Sequence, residues 1–304
     1  MNQSSVLDQA QIHFDEGSLW VMNIALGLVM FGIALNLTAR DFKQLWLAPK
    51  PIIAGLISQF IALPLVTYFL VTWFNPPAGV GLGMIMVAAC PGGNVSNFIT
   101  QLAKGNTALS ISLTALATAV AVLMTPLNFT LYASLWTPGS SFMQNVSVDV
   151  WSMAVLVGLL LGFPLGMGLW MRHSQPTRAK KLAFWINRGA LLFFLGLIIA
   201  ALLQNKAQIE AYSGLLFGYV FIHQGLAMAT GYGMSRLFGL GVSNQKTLII
   251  ETGIQNSGLG LMLIFTFFNG LGSMALIAAF WGIWHLISGL LMGLIMRNTM
   301  NHKV

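Results

Sequence analysis

Residues 247 to 268 read TLIIETGIQNSGLGLMLIFTFF, an apolar run broken at its centre by ETGIQNSGLG, residues 251 to 260. A helix crossing the hydrocarbon layer takes about 20 apolar residues. This run has that length, yet it carries a carboxylate, a glutamine, an asparagine and three glycines where lipid would surround them. A second break, CPGGNVSN at residues 90 to 97, lies inside the apolar run 79 to 101. Pro91 has no amide hydrogen, and Gly92, Gly93 and Gly253 favour non-helical backbone. Each stretch can therefore leave the helix and present carbonyls and amides that need partners. Hydrocarbon offers none, so irregular backbone at this depth belongs beside a protein-enclosed cavity, and a pair of such breaks points to a transport site.

The rest of the 304-residue chain fits that setting: 57% of its residues are hydrophobic and 7% charged, against roughly 25% charged in soluble domains. Apolar runs predict nine spans, at about 18 to 38, 51 to 73, 79 to 101, 107 to 136, 148 to 171, 183 to 203, 212 to 235, 247 to 268 and 273 to 296. The fold class expected is an all-α polytopic membrane protein, one transporter domain with no extramembrane part. With nine spans, Lys206 alone among the fourteen Lys and Arg residues falls opposite the others. Basic residues stay cytoplasmic, so the N-terminus is expected outside and the C-terminus inside. Trp20, Trp73, Trp136 and Trp151 then mark the outer interface, and Trp46, Trp170 and Trp185 the inner one. The net charge of +7 reads as topology-setting charge and not as a nucleic-acid surface. No Lys or Arg precedes Arg40, so the first apolar segment is expected to be retained. Cys90, the single cysteine, excludes an internal disulfide.

Spans 2 to 4 and 7 to 9 read as two copies of one unit: a helix with a polar residue at mid-span, a broken helix, and another helix. Five spans separate equivalent members, and an odd offset reverses direction through the membrane. The expectation is an inverted repeat, four plus five, with two crossed discontinuous helices.

Of seven acidic residues only Glu251 lies deep within a span, Asp149 standing at the very start of the span 148 to 171. A carboxylate there costs roughly 2.5 to 3.5 kcal/mol, which a proton or a paired cation must offset. No Lys or Arg lies at the centre of a span, Arg188 standing near the start of the span 183 to 203, which leaves a proton or a metal ion. Oxygens at Gln59, Ser96, Asn97, Ser110, Thr114 and Gln255 favour a hard ion such as sodium over a transition metal. Ser110 and Thr114, four residues apart, share a helical face.

CPGGNVSN, then LAKGNTALSISLT at residues 102 to 114, ETGIQNSGL, and WHLISG at residues 284 to 289 together resemble the bile acid:sodium symporter family. The resemblance runs the whole length. It implies one sodium held by Ser96, Asn97, Ser110, Thr114 and Glu251. A second would be held by Gln59, Glu251 and Gln255 with the carbonyls of Thr252 and Ile254. It implies a core domain at approximately 51-136 and 212-296 and a panel domain at approximately 18-38 and 148-203, the chain starting one helix later than bacterial members with ten. Asn94, Asn256 and His285 are the implied polar contacts to substrate. Asn94 stands where several bacterial relatives have Thr, and Leu286 follows His285 where many have Asn; both differences fall at the polar end of the substrate site.

The expectation is a sodium-coupled symporter for an organic anion (a bile acid, pantoate or similar monocarboxylate) working by alternating access in a plasma or bacterial inner membrane. Its partners are that anion, two coupling sodium ions and membrane lipid, with no other cofactor and no nucleic acid; the residues set no oligomeric state. A proton-coupled or uncoupled carrier, an exporter of the same fold, and a channel are the alternatives. An intramembrane enzyme lacks support, since neither GxSxG nor HExxH occurs.

Overall fold

The computed structural model describes residues 24, 27–28, 30–32, 34–36, 49–93, 95–143, 149–186, 188–189, 206–268 and 270–299. Trp20, Trp46, Asn94 and most of the runs expected at 18 to 38 and 183 to 203 lie outside them. Ten helices are labelled: α1 (Pro49–Phe74), α2 (Ala78–Ala89), α3 (Val95–Leu102), α4 (Thr107–Leu135), α5 (Thr137–Met143), α6 (Val150–Ser174), α7 (Lys206–Leu237), α8 (Val242–Gly253), α9 (Ser257–Phe267) and α10 (Gly272–Thr299). Among the described residues the one β feature is an isolated antiparallel bridge between Gly92 and Gln255.

Both broken runs take the form their sequences predict. The run at 79 to 101 becomes α2, a break and α3; the run at 247 to 268 becomes α8, a break and α9. Helices α1, α4, α6 and α10 are long and apolar enough to span a bilayer. The outward side of α4 carries exposed Leu123, Leu127, Leu131 and Leu135 at four-residue spacing, a stripe suited to lipid and not to water. Buried residues of α1, α2, α4, α6, α7, α9 and α10 form one apolar cluster around Leu63, Met86, Phe129, Leu161, Leu263 and Trp281.

Two helices depart from α geometry for a visible reason. In α1 a π-turn covers Ser58–Ala62, closed by Leu63 N to Ser58 O, and Pro64 follows. In α6 a π-turn covers Gly158–Gly162, closed by Phe163 N to Gly158 O, and Pro164 follows. Proline cannot donate to the carbonyl four residues back, and the widened turn accommodates the loss. The carbonyl that Pro64 forgoes, Phe60 O, accepts instead from Asn128 Nδ2 of α4 at 2.8 Å.

Several boundaries differ from the apolar-run reading. The loop expected at RHSQPTRAKK shrinks to Gln175, and helix resumes at Pro176, because proline suits the first helical position. Helix α8 starts at Val242, before the apolar run does. Asp149 caps α6, accepting from Ser152 N at 2.8 Å and Ser152 Oγ at 2.7 Å, and these bonds hold its carboxyl below the usual carboxylate range. Trp73, Trp151, Trp170 and Trp185 are exposed, as interfacial anchors are. Trp136 is 3% exposed; its ring fills the space above Gly81, so it is a packing residue and not a lipid anchor.

Candidate cation site at the paired breaks

The two breaks lie against each other. Gly93 N donates to Ile254 O at 2.7 Å and Asn256 N donates to Pro91 O at 2.9 Å, so each break satisfies amides and carbonyls that the other frees. Neighbouring helices take up further carbonyls: Thr125 Oγ1 donates to Ala89 O at 2.8 Å, and Gln224 Nε2 to Gly253 O at 3.3 Å. A Cβ at Gly93 would stand 2.9 Å from Gln255 O. The backbones meet closely because that side chain is absent.

Glu251, 5% exposed, ends α8 one turn before the break. Its Oε1 accepts from Ser96 Oγ of α3 at 2.6 Å, from Ser110 Oγ of α4 and from Thr114 Oγ1 of α4 at 3.2 Å. Oε2 accepts from Thr114 Oγ1 at 3.2 Å. Asn97 Oδ1 lies 3.4 Å from Thr114 Oγ1. Ser96, Asn97, Ser110, Thr114 and Glu251 are thus brought together by three elements. The cluster has more oxygens than protons: the single hydroxyl proton of Thr114 faces Asn97 Oδ1, Ser110 O at 3.0 Å and both Glu251 oxygens. Such a set suits a hard cation, which every one of these oxygens could face at once.

Gln59 sits within the π-turn of α1. Its Nε2 donates to Gln255 Oε1 at 2.7 Å and to Cys90 O at 2.8 Å, and Gln255 Nε2 returns to Gln59 Oε1 at 3.2 Å. Gln255 Nε2 also donates to Thr252 O at 2.7 Å. A Cβ built on Gly92 would meet Glu251 Oε2 at 2.9 Å, Glu251 O at 3.2 Å and Gln59 Oε1 at 3.8 Å. Gly92 therefore leaves open the point at which those three oxygens converge. The carbonyls of Thr252 and Ile254 each accept one bond, from Gln255 and Gly93, and a carbonyl has a second lone pair for an ion.

Asn256 is the N-cap of α9, its Oδ1 accepting from Leu259 N at 3.1 Å. His285 is buried on α10; it shares a face with Gly282, which packs on Ser257, and Gly289, which packs on Ile254. His285 thus lies along the second break. Asn94 is outside the described residues. Sequence reading missed Thr100, which accepts from Ser110 Oγ at 3.3 Å, and Ser58, bonded to Thr252 Oγ1 at 2.8 Å. It also missed Gln224 and Asn128, polar residues in apolar runs facing the breaks and the π-turn. Lys246, placed outside the spans by the apolar pattern, belongs to the same helix as Glu251; its Nζ donates to Ala103 O at 2.9 Å.

Known proteins resemble this chain over most of its length. The sequence profile of the Sodium Bile acid symporter family matches residues 23–211. The chain is 34% identical over 271 residues to the "Uncharacterized sodium-dependent transporter YocS" of Bacillus subtilis (strain 168), covering 88% of this chain and 80% of that protein. It is 30% identical over 253 residues to the "Probable sodium/metabolite cotransporter BASS1, chloroplastic" of Arabidopsis thaliana, covering 79% of this chain and 58% of the relative. It is 28% identical over 243 residues to the human "Ileal sodium/bile acid cotransporter", covering 79% and 67%.

Proposed function

Because the chain belongs to the sodium bile acid symporter family, and so is a multi-pass sodium-coupled membrane transporter and not an enzyme, we propose that it moves an organic anion with two sodium ions by alternating access. The observation that carries the reading is the proton-poor oxygen cluster at Glu251, supplied by α3, α4 and α8. One ion is assigned to Ser96, Asn97, Ser110, Thr114 and Glu251. The other is assigned to Gln59, Glu251 and Gln255 with the Thr252 and Ile254 carbonyls, at the point that Gly92 leaves open. Glu251 faces both positions, one through each carboxylate oxygen. Two cations then neutralise the acid and order both breaks before the anion binds.

The anion would meet the amide ends of the half-helices α3 and α9, whose dipoles favour negative charge without an arginine. Asn94, Asn256 and His285 are assigned as its polar contacts. The substrate proposed is a bile acid, pantoate or another monocarboxylate; the family's description and the human relative's name support the bile acid. Two sodium ions and a monoanion carry one net positive charge inward, gaining about 2.3 kcal/mol per 100 mV. The moving parts are assigned as a core domain at approximately 51-136 and 212-296, related internally by an inverted repeat, and a panel domain at approximately 18-38 and 148-203, within nine spans.

Uptake of a panel of bile acids, pantoate and other organic acids into proteoliposomes tests this. Replacing sodium by potassium at constant pH should abolish uptake, and Glu251→Gln should do the same in sodium. Uptake that survives the swap and collapses with the pH gradient would establish a proton on Glu251 as the coupling ion instead.

A further inference from the structure

We propose that Lys246, together with Asn106, is a positioning residue: it docks α8 onto the loop between α3 and α4 and so fixes Glu251 opposite the hydroxyls of the cation site. The inference rests on Glu251 being a sodium ligand. Helix α3 ends in a left-handed cap, with Lys104 at φ 56° and Gly105 N returning to Thr100 O at 2.9 Å. Ala103 contributes one of the carbonyls that a helix end leaves without an intrahelical donor. It accepts from Lys246 Nζ at 2.9 Å, with Lys246 1% exposed. A cation at a helix C-terminus also meets the negative end of its dipole.

Further bonds join the same two segments, among them Thr247 Oγ1 donating to Asn106 O at 3.2 Å. Asn106, the N-cap of α4 through its Oδ1 to Leu109 N, donates Nδ2 to Asn244 Oδ1 at 2.9 Å. Its backbone N donates to Thr247 Oγ1 at 2.9 Å and to Ser243 O at 3.2 Å. The segment 103–106 therefore connects α3, which carries Ser96 and Asn97, to α4, which carries Ser110 and Thr114, while the start of α8 holds it in place. Ser110 is one turn beyond Asn106 on α4, and Glu251 stands about 7.5 Å along α8 from Lys246. A cation site made by three elements depends on their mutual position to a fraction of an ångström, and this clasp sets that position from the end of the elements nearest Lys246.

Electrostatics and docking predict opposite signs. By Coulomb repulsion alone, removing a positive charge near a cation site raises sodium affinity; by loss of docking, it lowers it. The measurement is sodium-dependent thermal stabilisation of the purified full-length protein, titrated against choline at constant ionic strength, for wild type, Lys246→Gln, Lys246→Arg and Asn244→Ala. Lys246→Gln should raise the half-saturating sodium concentration roughly tenfold, the worth of one charge-assisted hydrogen bond. Lys246→Arg should stay close to wild type, and Asn244→Ala, which leaves the charge in place, should shift in the same direction as Lys246→Gln. An unchanged or lowered half-saturation, with only the sodium-free melting temperature reduced, overturns the docking role while sodium binding stands. No sodium response in the wild type overturns both. If Lys246→Gln does not fold, Asn244→Ala decides on the same criterion.

Discussion

In the proposed cation site Glu251 supplies charge, and Gly92 leaves the room that a side chain would take. Glu251 was legible in the sequence because a lone carboxylate in an apolar run demands a partner. The role of Gly92 was not, since a glycine beside a proline at a break reads first as backbone freedom. The structure adds that a methyl group there would meet Glu251 Oε2 at 2.9 Å and the Glu251 carbonyl at 3.2 Å, closer than ordinary contact. Gly92→Ala should therefore weaken sodium stabilisation by tenfold or more, the equivalent of at least about 1.4 kcal/mol, while the protein still reaches the membrane. Gly260→Ala is the matched control, because a Cβ there meets nothing nearer than Cys90 Sγ at 3.6 Å. Sodium titration of melting temperature compares the two; equal responses would remove Gly92 from the site.

At the level of elements, the π-turn of α1 is what brings Gln59 to Gln255, and its support comes from another helix. Asn128 of α4 donates to Phe60 O, which Pro64 leaves without its helical donor. Asn128→Ala should cost about 1 to 3 kcal/mol, the penalty for a buried carbonyl left unpaired. The loss should shrink in a Pro64→Ala background, where residue 64 regains an amide hydrogen. A thermal-unfolding double-mutant cycle reads that coupling, and additive losses would contradict it. The helix-break-helix form of both interrupted runs was legible, since glycine, proline and polar residues within an apolar run have few other uses. The π-turns were not, because a widened turn leaves the apolar pattern of the helix intact. Nor was the start of α8: the apolar pattern begins at Thr247, whereas Ser243, Asn244 and Lys246 are helical through bonds to Ala103 and Asn106 that no local pattern reveals.

Across the whole molecule, the contacts of the expected panel segments include small residues at each seam. Ala34 packs with Ala115 of α4 and Leu165 of α6, Leu35 packs with Ala179 and Ala183, and a Cβ at Gly168 would meet Ala34 Cβ at 2.4 Å. Small residues let membrane helices approach closely, and Ala115 lies one residue beyond Thr114 of the proposed cation site. Movement of α4 against α6 during transport would thus begin beside the ions, and which face opens first depends on how the chain sits in the bilayer. The distribution of Lys and Arg sets that orientation: the segment around Gln175 should be cytoplasmic and the segment joining α4 to α6 external. Cys90 is buried, so the native thiol gives little background to a membrane-impermeant maleimide. In intact cells or right-side-out vesicles, Thr137→Cys should label at once, whereas Ser174→Cys should label only after the membrane is opened; both native residues are exposed. The reverse pattern would place the basic segments outside and contradict the orientation read from the charge distribution.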